Sequence, residues 1–121
     1  MTTKIKICGN TRPEDVELAI ELGVDLLGFI FTRSQRHVDV EEVKGVIADV
    51  PSGVERVGVL IDEPPEQISA VAAACGLTAI QVYRPLTEKD RALGLLMLPA
   101  FRVQDGEDLT ALRFEPGDHP L

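Results

Sequence analysis

The residues best placed for chemistry stand where short apolar runs stop. The run Ile5 to Cys8 closes on a thiol, followed at once by Gly9 and Asn10. Later runs stop at Thr32, Arg33, Ser34, Gln35 and Arg36, at Asp62 and Glu63, at Gln81, Tyr83 and Arg84, and at Arg102. A thiol matters chemically once it is ionised, and arginines bring positive charge to an anionic ligand. A lone cysteine is by default a small buried hydrophobe, so the context of Cys8 has to decide its role. Asn10 suits either the turn after the strand or a ligand contact, and Gln81 points from a strand end. Cys75, at the end of an alanine-rich segment, reads as core.

Several chemistries are disfavoured. Cys8 and Cys75 are far apart with no CxxC spacing, and His37 and His119 have no metal-like neighbours, so neither a disulfide scaffold nor a zinc site is expected. A formal charge of −8 argues against nucleic-acid binding but leaves room for a small anionic substrate at a local basic cluster. The first residues lack a signal-peptide layout, and no run of apolar residues is long enough to span a membrane, so a cytoplasmic protein without membrane association is expected.

The elements that must position these residues alternate. Strands are expected over Ile5 to Cys8, Asp25 to Phe31, Arg56 to Ile61 and Ala79 to Tyr83, with a fifth inside Leu95 to Val103. Helices are expected over Thr11 to Leu22, Val40 to Val50, Pro65 to Cys75 and Thr87 to Leu93, and Asp108 to Arg113 could begin another. Thr11 and Glu14 have capping-box spacing, Pro13 falls in the first turn, and Gly23 and Gly76 suit helix ends. The 121 residues form a single domain of parallel βα units. Two architectures fit: an open doubly wound sheet, which the length favours, or part of a (βα)8 barrel. The doubly wound reading lacks its usual chemistry: Cys8 stands where a phospho-receiver has carboxylates, and no glycine-rich phosphate loop is present.

The strand-end blocks, in order, are "KICGNTRPED" (Lys6 to Asp15), "GVDLLGFIF" (Gly23 to Phe31), "SQRHV" (Ser34 to Val38), "RVGVL" (Arg56 to Leu60), "AIQV" (Ala79 to Val82) and "AFRV" (Ala100 to Val103). Together they resemble phosphoribosylanthranilate isomerase of tryptophan biosynthesis, from residue 4 to about residue 113. The resemblance implies a partial (βα)8 TIM barrel of about five strands, with strands six to eight missing. It implies a cofactor-free Amadori rearrangement of N-(5-phosphoribosyl)anthranilate, an anionic substrate, to an aminoketose. The family's base, which removes the C2 proton, maps onto Cys8, and the arginine associated with the anthranilate carboxylate maps onto Arg36. Asn10 and Gln81 are the further candidate substrate-binding residues.

The family's acid follows strand six and its phosphate loops follow strands seven and eight, so no residue here maps onto them. Where the family carries Gln-Leu-His-Gly this chain has Gln81, Val82, Tyr83 and Arg84, and Pro99 stands where a lysine is common. Activity from the 121 residues alone is therefore not expected. The alternative reading is a non-catalytic or assembly-dependent half-barrel, its open edges meeting a second copy or a complementing chain.

Overall fold

The structure is a computed structural model that describes residues 3–32, 38–102 and 105–106. In chain order the elements are β1 (Lys6–Ile7), α1 (Pro13–Glu21), β2 (Leu26–Ile30), α2 (Val40–Ile47), β3 (Glu55–Val59), α3 (Pro65–Cys75), β4 (Ala79–Val82), α4 (Glu88–Arg91) and β5 (Leu96–Pro99). The expected helix over 108–113 lies outside the described residues.

Every neighbouring pair of strands is parallel, and the sheet order is β1-β2-β3-β4-β5. A doubly wound sheet reverses its strand order at a switch point and carries helices on both faces. Neither is found among the described residues. Period two along each strand divides the side chains between two layers. Leu27, Phe29, Ile80, Val82 and Met97 face the helices and cluster with Val16, Ala19, Val43, Ile47, Ile68 and Ala72. Leu26, Val57, Ala79 and Leu98 form a separate cluster built from strands alone.

Among the described residues no helix covers that face, and it is concave. Lys6 Nζ on β1 donates to Gln81 Oε1 on β4. On a flat sheet, strands three places apart are about 14 Å apart. Their meeting across two intervening strands fits a sheet that curls toward this face. The length argument for an open doubly wound sheet thus gives way to barrel-type curvature and order.

The local signals explain most element ends. Leu22 caps α1, Gly23 follows at φ 86°, and the bonds Gly23 N to Ile20 O and Val24 N to Ala19 O close a Schellman turn. Gly76 ends α3 in the left-handed conformation, at φ 68°. The expected Thr11–Glu14 capping box does not form. Pro13 takes the first helical position, so Arg12 becomes the N-cap without a side-chain cap bond, and its Nε bonds Glu14 Oε2 at 3.2 Å. A capping box forms instead at α2, where Asp39 Oδ1 accepts from Glu42 N at 2.9 Å and Glu42 Oε2 accepts from Asp39 N at 3.1 Å.

β1 is shorter than expected, and among the described residues it has one neighbouring strand. Its pairing tapers into loop bonds, with Leu26 N donating to Ile5 O and Gly9 N to Gly28 O. Its outer face is bare, with Ile5 52% and Ile7 45% exposed.

Candidate active site

Parallel βα folds place their ligand-binding loops at the C-terminal ends of the strands. Cys8 leaves β1 at that end, half-buried, and Gly9 turns the chain there at φ 78°. Asn10, 4% exposed, staples the turn: its Nδ2 donates to Ile7 O at 2.9 Å and to Gly28 O at 3.0 Å. Gly28 O also accepts from Gly9 N and Asn10 N, both at 3.1 Å. The end of β1 is therefore fixed to β2 through one carbonyl. Gly28 also makes room for the thiol, since a Cβ there would lie 2.9 Å from Cys8 Sγ.

A line of polar side chains runs from Cys8 across the concave face. Lys6, two residues before Cys8 on the same face of β1, hydrogen-bonds both Cys8 and Gln81. Burial pushes the Lys6 ammonium below the usual lysine range, while the charge of Cys8 and its hydrogen bond pull it back up. Gln81 is buried, and its Nε2 donates to Tyr83 Oη at 3.2 Å. The guanidinium of Arg102 lies over the Tyr83 ring, 5.6 Å from its centroid. Thiol, ammonium, amide, phenol and guanidinium thus follow one another from β1 to the loop after β5.

Arg84 is committed elsewhere. Its Nη1 and Nη2 grip Asp90 Oδ2 and Oδ1 at 2.6 and 2.9 Å, and Nη2 also reaches Glu63 O at 3.1 Å. Asp90 is fully buried and completes a capping box with Thr87, accepting from Thr87 N at 2.7 Å. The Arg84 hydrogen bonds are the main force holding the Asp90 carboxyl down to about 2. This pair ties the loop after β4 to the loop after β3. It does not hold Arg84 out as a free cation for a ligand.

Of the residues singled out from sequence, the structure brings Cys8, Asn10 and Gln81 to one end of the sheet. Arg36 and His37 lie outside the described residues. Asp62 is an exposed loop carboxylate, while Glu63 Oε2 accepts from Ile61 N at 2.8 Å. Cys75 is core, 3% exposed, and burial pushes its thiol up. Sequence reasoning passed over Lys6, although period two from Cys8 puts both on one face, and it passed over Asp90. An apolar groove lined by Ser69, Ala72, Ala73, Leu77, Leu93 and Leu95 lies on the helical side, away from these groups.

Parallel βα units in unbroken order around a curled sheet, with polar groups gathered at the strands' C-terminal ends, define part of a (βα)8 barrel. A family model described as N-(5'-phosphoribosyl)anthranilate isomerase matches residues 5–121. The chain belongs to this family, whose members are isomerases.

The N-(5'-phosphoribosyl)anthranilate isomerase of Chlorobaculum tepidum is 36% identical over 115 residues, a stretch covering 92% of this chain and 52% of that protein. The Geobacter sulfurreducens protein of the same name is 37% identical over 113 residues, covering 91% and 55%. Among solved structures, the Thermotoga maritima phosphoribosylanthranilate isomerase superposes with a TM-score of 0.75 at 34% identity, covering 82% of this chain and 50% of that one. The Thermus thermophilus enzyme superposes with a TM-score of 0.77 at 28% identity, covering 88% and 55%. A further phosphoribosylanthranilate isomerase structure, at 34% identity and TM-score 0.75, holds reduced 1-(o-carboxyphenylamino)-1-deoxyribulose 5-phosphate; this chain covers 53% of it. The chain spans about half the length of the curated relatives it matches.

Proposed function

We propose that the chain forms the base-bearing part of a phosphoribosylanthranilate isomerase, acting on N-(5-phosphoribosyl)anthranilate in tryptophan biosynthesis. The observation that carries this reading is the half-buried thiol of Cys8 at the C-terminal end of β1, in a chain of this family. Ring opening, with a proton placed on the ring oxygen and the nitrogen lone pair forming the C1–N double bond, leaves the substrate as a protonated imine. The Cys8 thiolate takes the C2 proton, the C–H electron pair forms the C1–C2 double bond, and the nitrogen ends neutral. The resulting enol becomes the ketone when a proton returns to C1 and the C2 hydroxyl gives up its own. No cofactor is needed for these steps.

Arg36 is proposed to hold the anthranilate carboxylate through parallel hydrogen bonds. Gln81 is proposed to contact the sugar. Any ligand contact from Asn10 would use Oδ1, since Nδ2 serves two backbone carbonyls. The acid and the phosphate site are assigned in this reading to further βα units, for which the relatives' greater length leaves room. The cytoplasm, which keeps thiols reduced, is the proposed setting for the Cys8 base.

The bare outer face of β1 favours a second, compatible reading, in which this half-barrel acts only when further βα units cover it. Ile5 and Ile7 are exposed there, and Leu18 and Leu22 on α1 are 53% and 76% exposed. The test joins this chain to the sixth to eighth βα units of a full-length relative and assays the isomerisation. Turnover abolished by Cys8→Ala supports the proposal, and turnover indifferent to that change removes Cys8 from the mechanism.

A further inference from the structure

We infer that Lys6 is a positioning residue for the proposed base: its ammonium is the counter-charge of the Cys8 thiolate, and Gln81 anchors that ammonium beside it. The inference rests on the reading of Cys8 as the base and adds the group that keeps it ionised and oriented. Lys6 and Cys8 stand two residues apart on the edge strand, so both project from the concave face.

Lys6 donates to Gln81 Oε1 and is also hydrogen-bonded to Cys8. Gln81 is 6% exposed and is itself oriented by Tyr83, so the ammonium has a fixed seat rather than a free swing. An amine that loses water in this way keeps its charge through a partner. Burial pushes the Lys6 ammonium down, and the charge of Cys8 and its hydrogen bond pull it up.

The other elements sharing this face bring one carboxylate: from β2 come Leu26 and Gly28, from β3 Val57 and, in register with Leu26 and two strands from Lys6, Glu55, and from β5 Leu98. From β4 comes Gln81, with Tyr83 and then Arg102 beyond it. Once the thiolate has taken a proton, Lys6 faces a neutral thiol, and the same ammonium favours its return to the ionised form.

The test follows iodoacetamide alkylation of Cys8, located by peptide mass spectrometry, against pH in the 121-residue chain. Wild type, Lys6→Met, Lys6→Arg and Gln81→Glu are compared, with folding checked by circular dichroism. Lys6→Met is expected to slow alkylation near neutral pH about tenfold and move the profile to higher pH, since only the thiolate reacts. Lys6→Arg keeps the wild-type profile to within about twofold, because the charge is retained.

Gln81→Glu places a carboxylate where the ammonium is anchored and is also expected to slow alkylation. Identical profiles for wild type and folded Lys6→Met overturn the pairing. If Lys6→Met does not fold, Gln81→Glu decides: a slowed rate supports the pairing and an unchanged one overturns it. The readout is independent of turnover. A shifted profile in a chain whose completed barrel never isomerises overturns the proposed function alone, and Cys8-dependent turnover with an unshifted profile overturns the pairing alone.

Discussion

Cys8 Sγ occupies the space a side chain on Gly28 would need: a Cβ built there comes within 2.9 Å of the sulfur and 3.2 Å of Cys8 Cα. The thiol is therefore seated by an absence on the neighbouring strand. Because the second contact is with backbone, rotating the thiol cannot relieve it, and the end of β1 has to move.

Gly28→Ala is accordingly expected to destabilise the fold by roughly 1–3 kcal/mol, the usual cost of overpacking, and to change the alkylation rate of Cys8. Gly45, in α2 with nothing within 4 Å of an added Cβ, is the control. Gly45→Ala should stabilise by roughly 0.5–1 kcal/mol. Denaturant unfolding of both variants checks the contrast, and equal effects would show that Gly28 has no seating role.

The Asp90 carboxyl is held at about 2, below its ordinary value of 3.8, chiefly by Arg84. A carboxyl whose folded value is depressed stabilises the fold fully above its unfolded value and loses that contribution as pH falls through its folded value. Roughly 2 kcal/mol is at stake. The melting temperature of wild type should fall between about pH 4 and pH 2 more steeply than that of Asp90→Asn, which lacks this titration.

Arg84→Met leaves the Asp90 carboxylate buried without its bidentate partner. Breaking one side of such a pair costs about 3 kcal/mol. Hydrogen exchange should also rise in the loops after β3 and β4, which Arg84 joins through Glu63 O. Loss of stability without faster exchange there would mean that the pair does not tie the two loops together.

Asn10→Ala removes both side-chain bonds that hold the β1 turn. A loss of roughly 1–3 kcal/mol is expected where buried carbonyls lose donors. Faster amide exchange at Gly9 should accompany it, because its bond to Gly28 O depends on the same turn.

The sequence made the fold class readable because its punctuation is strong. Pro65 and Gly76 bracket α3, and the observed bounds equal the expected ones. Where punctuation is ambiguous the reading slips: Thr11 and Glu14 have capping-box spacing, but Pro13 shifts the helix start past it. Length favoured a doubly wound sheet, the strand-end blocks implied a partial barrel, and the unbroken strand order bears the barrel out. The place of Cys8 at the end of β1 was legible from its block. Lys6 became visible only through curvature, because its partner Gln81 lies 75 residues away on a strand that does not neighbour β1. Asp90 looked like an ordinary surface acid of a short helix until Arg84 closed over it.

The central claim is that this chain carries the base of an isomerase site at Cys8, awaiting the groups that further βα units bring. The most direct measurement is rescue of a tryptophan auxotroph lacking the isomerase by this chain joined to the sixth to eighth βα units of the Chlorobaculum tepidum relative. The account predicts that the joined protein restores growth, that the 121 residues alone do not, and that Cys8→Ala abolishes the rescue. Growth that survives Cys8→Ala, or a folded and soluble joined protein that never rescues, would contradict it.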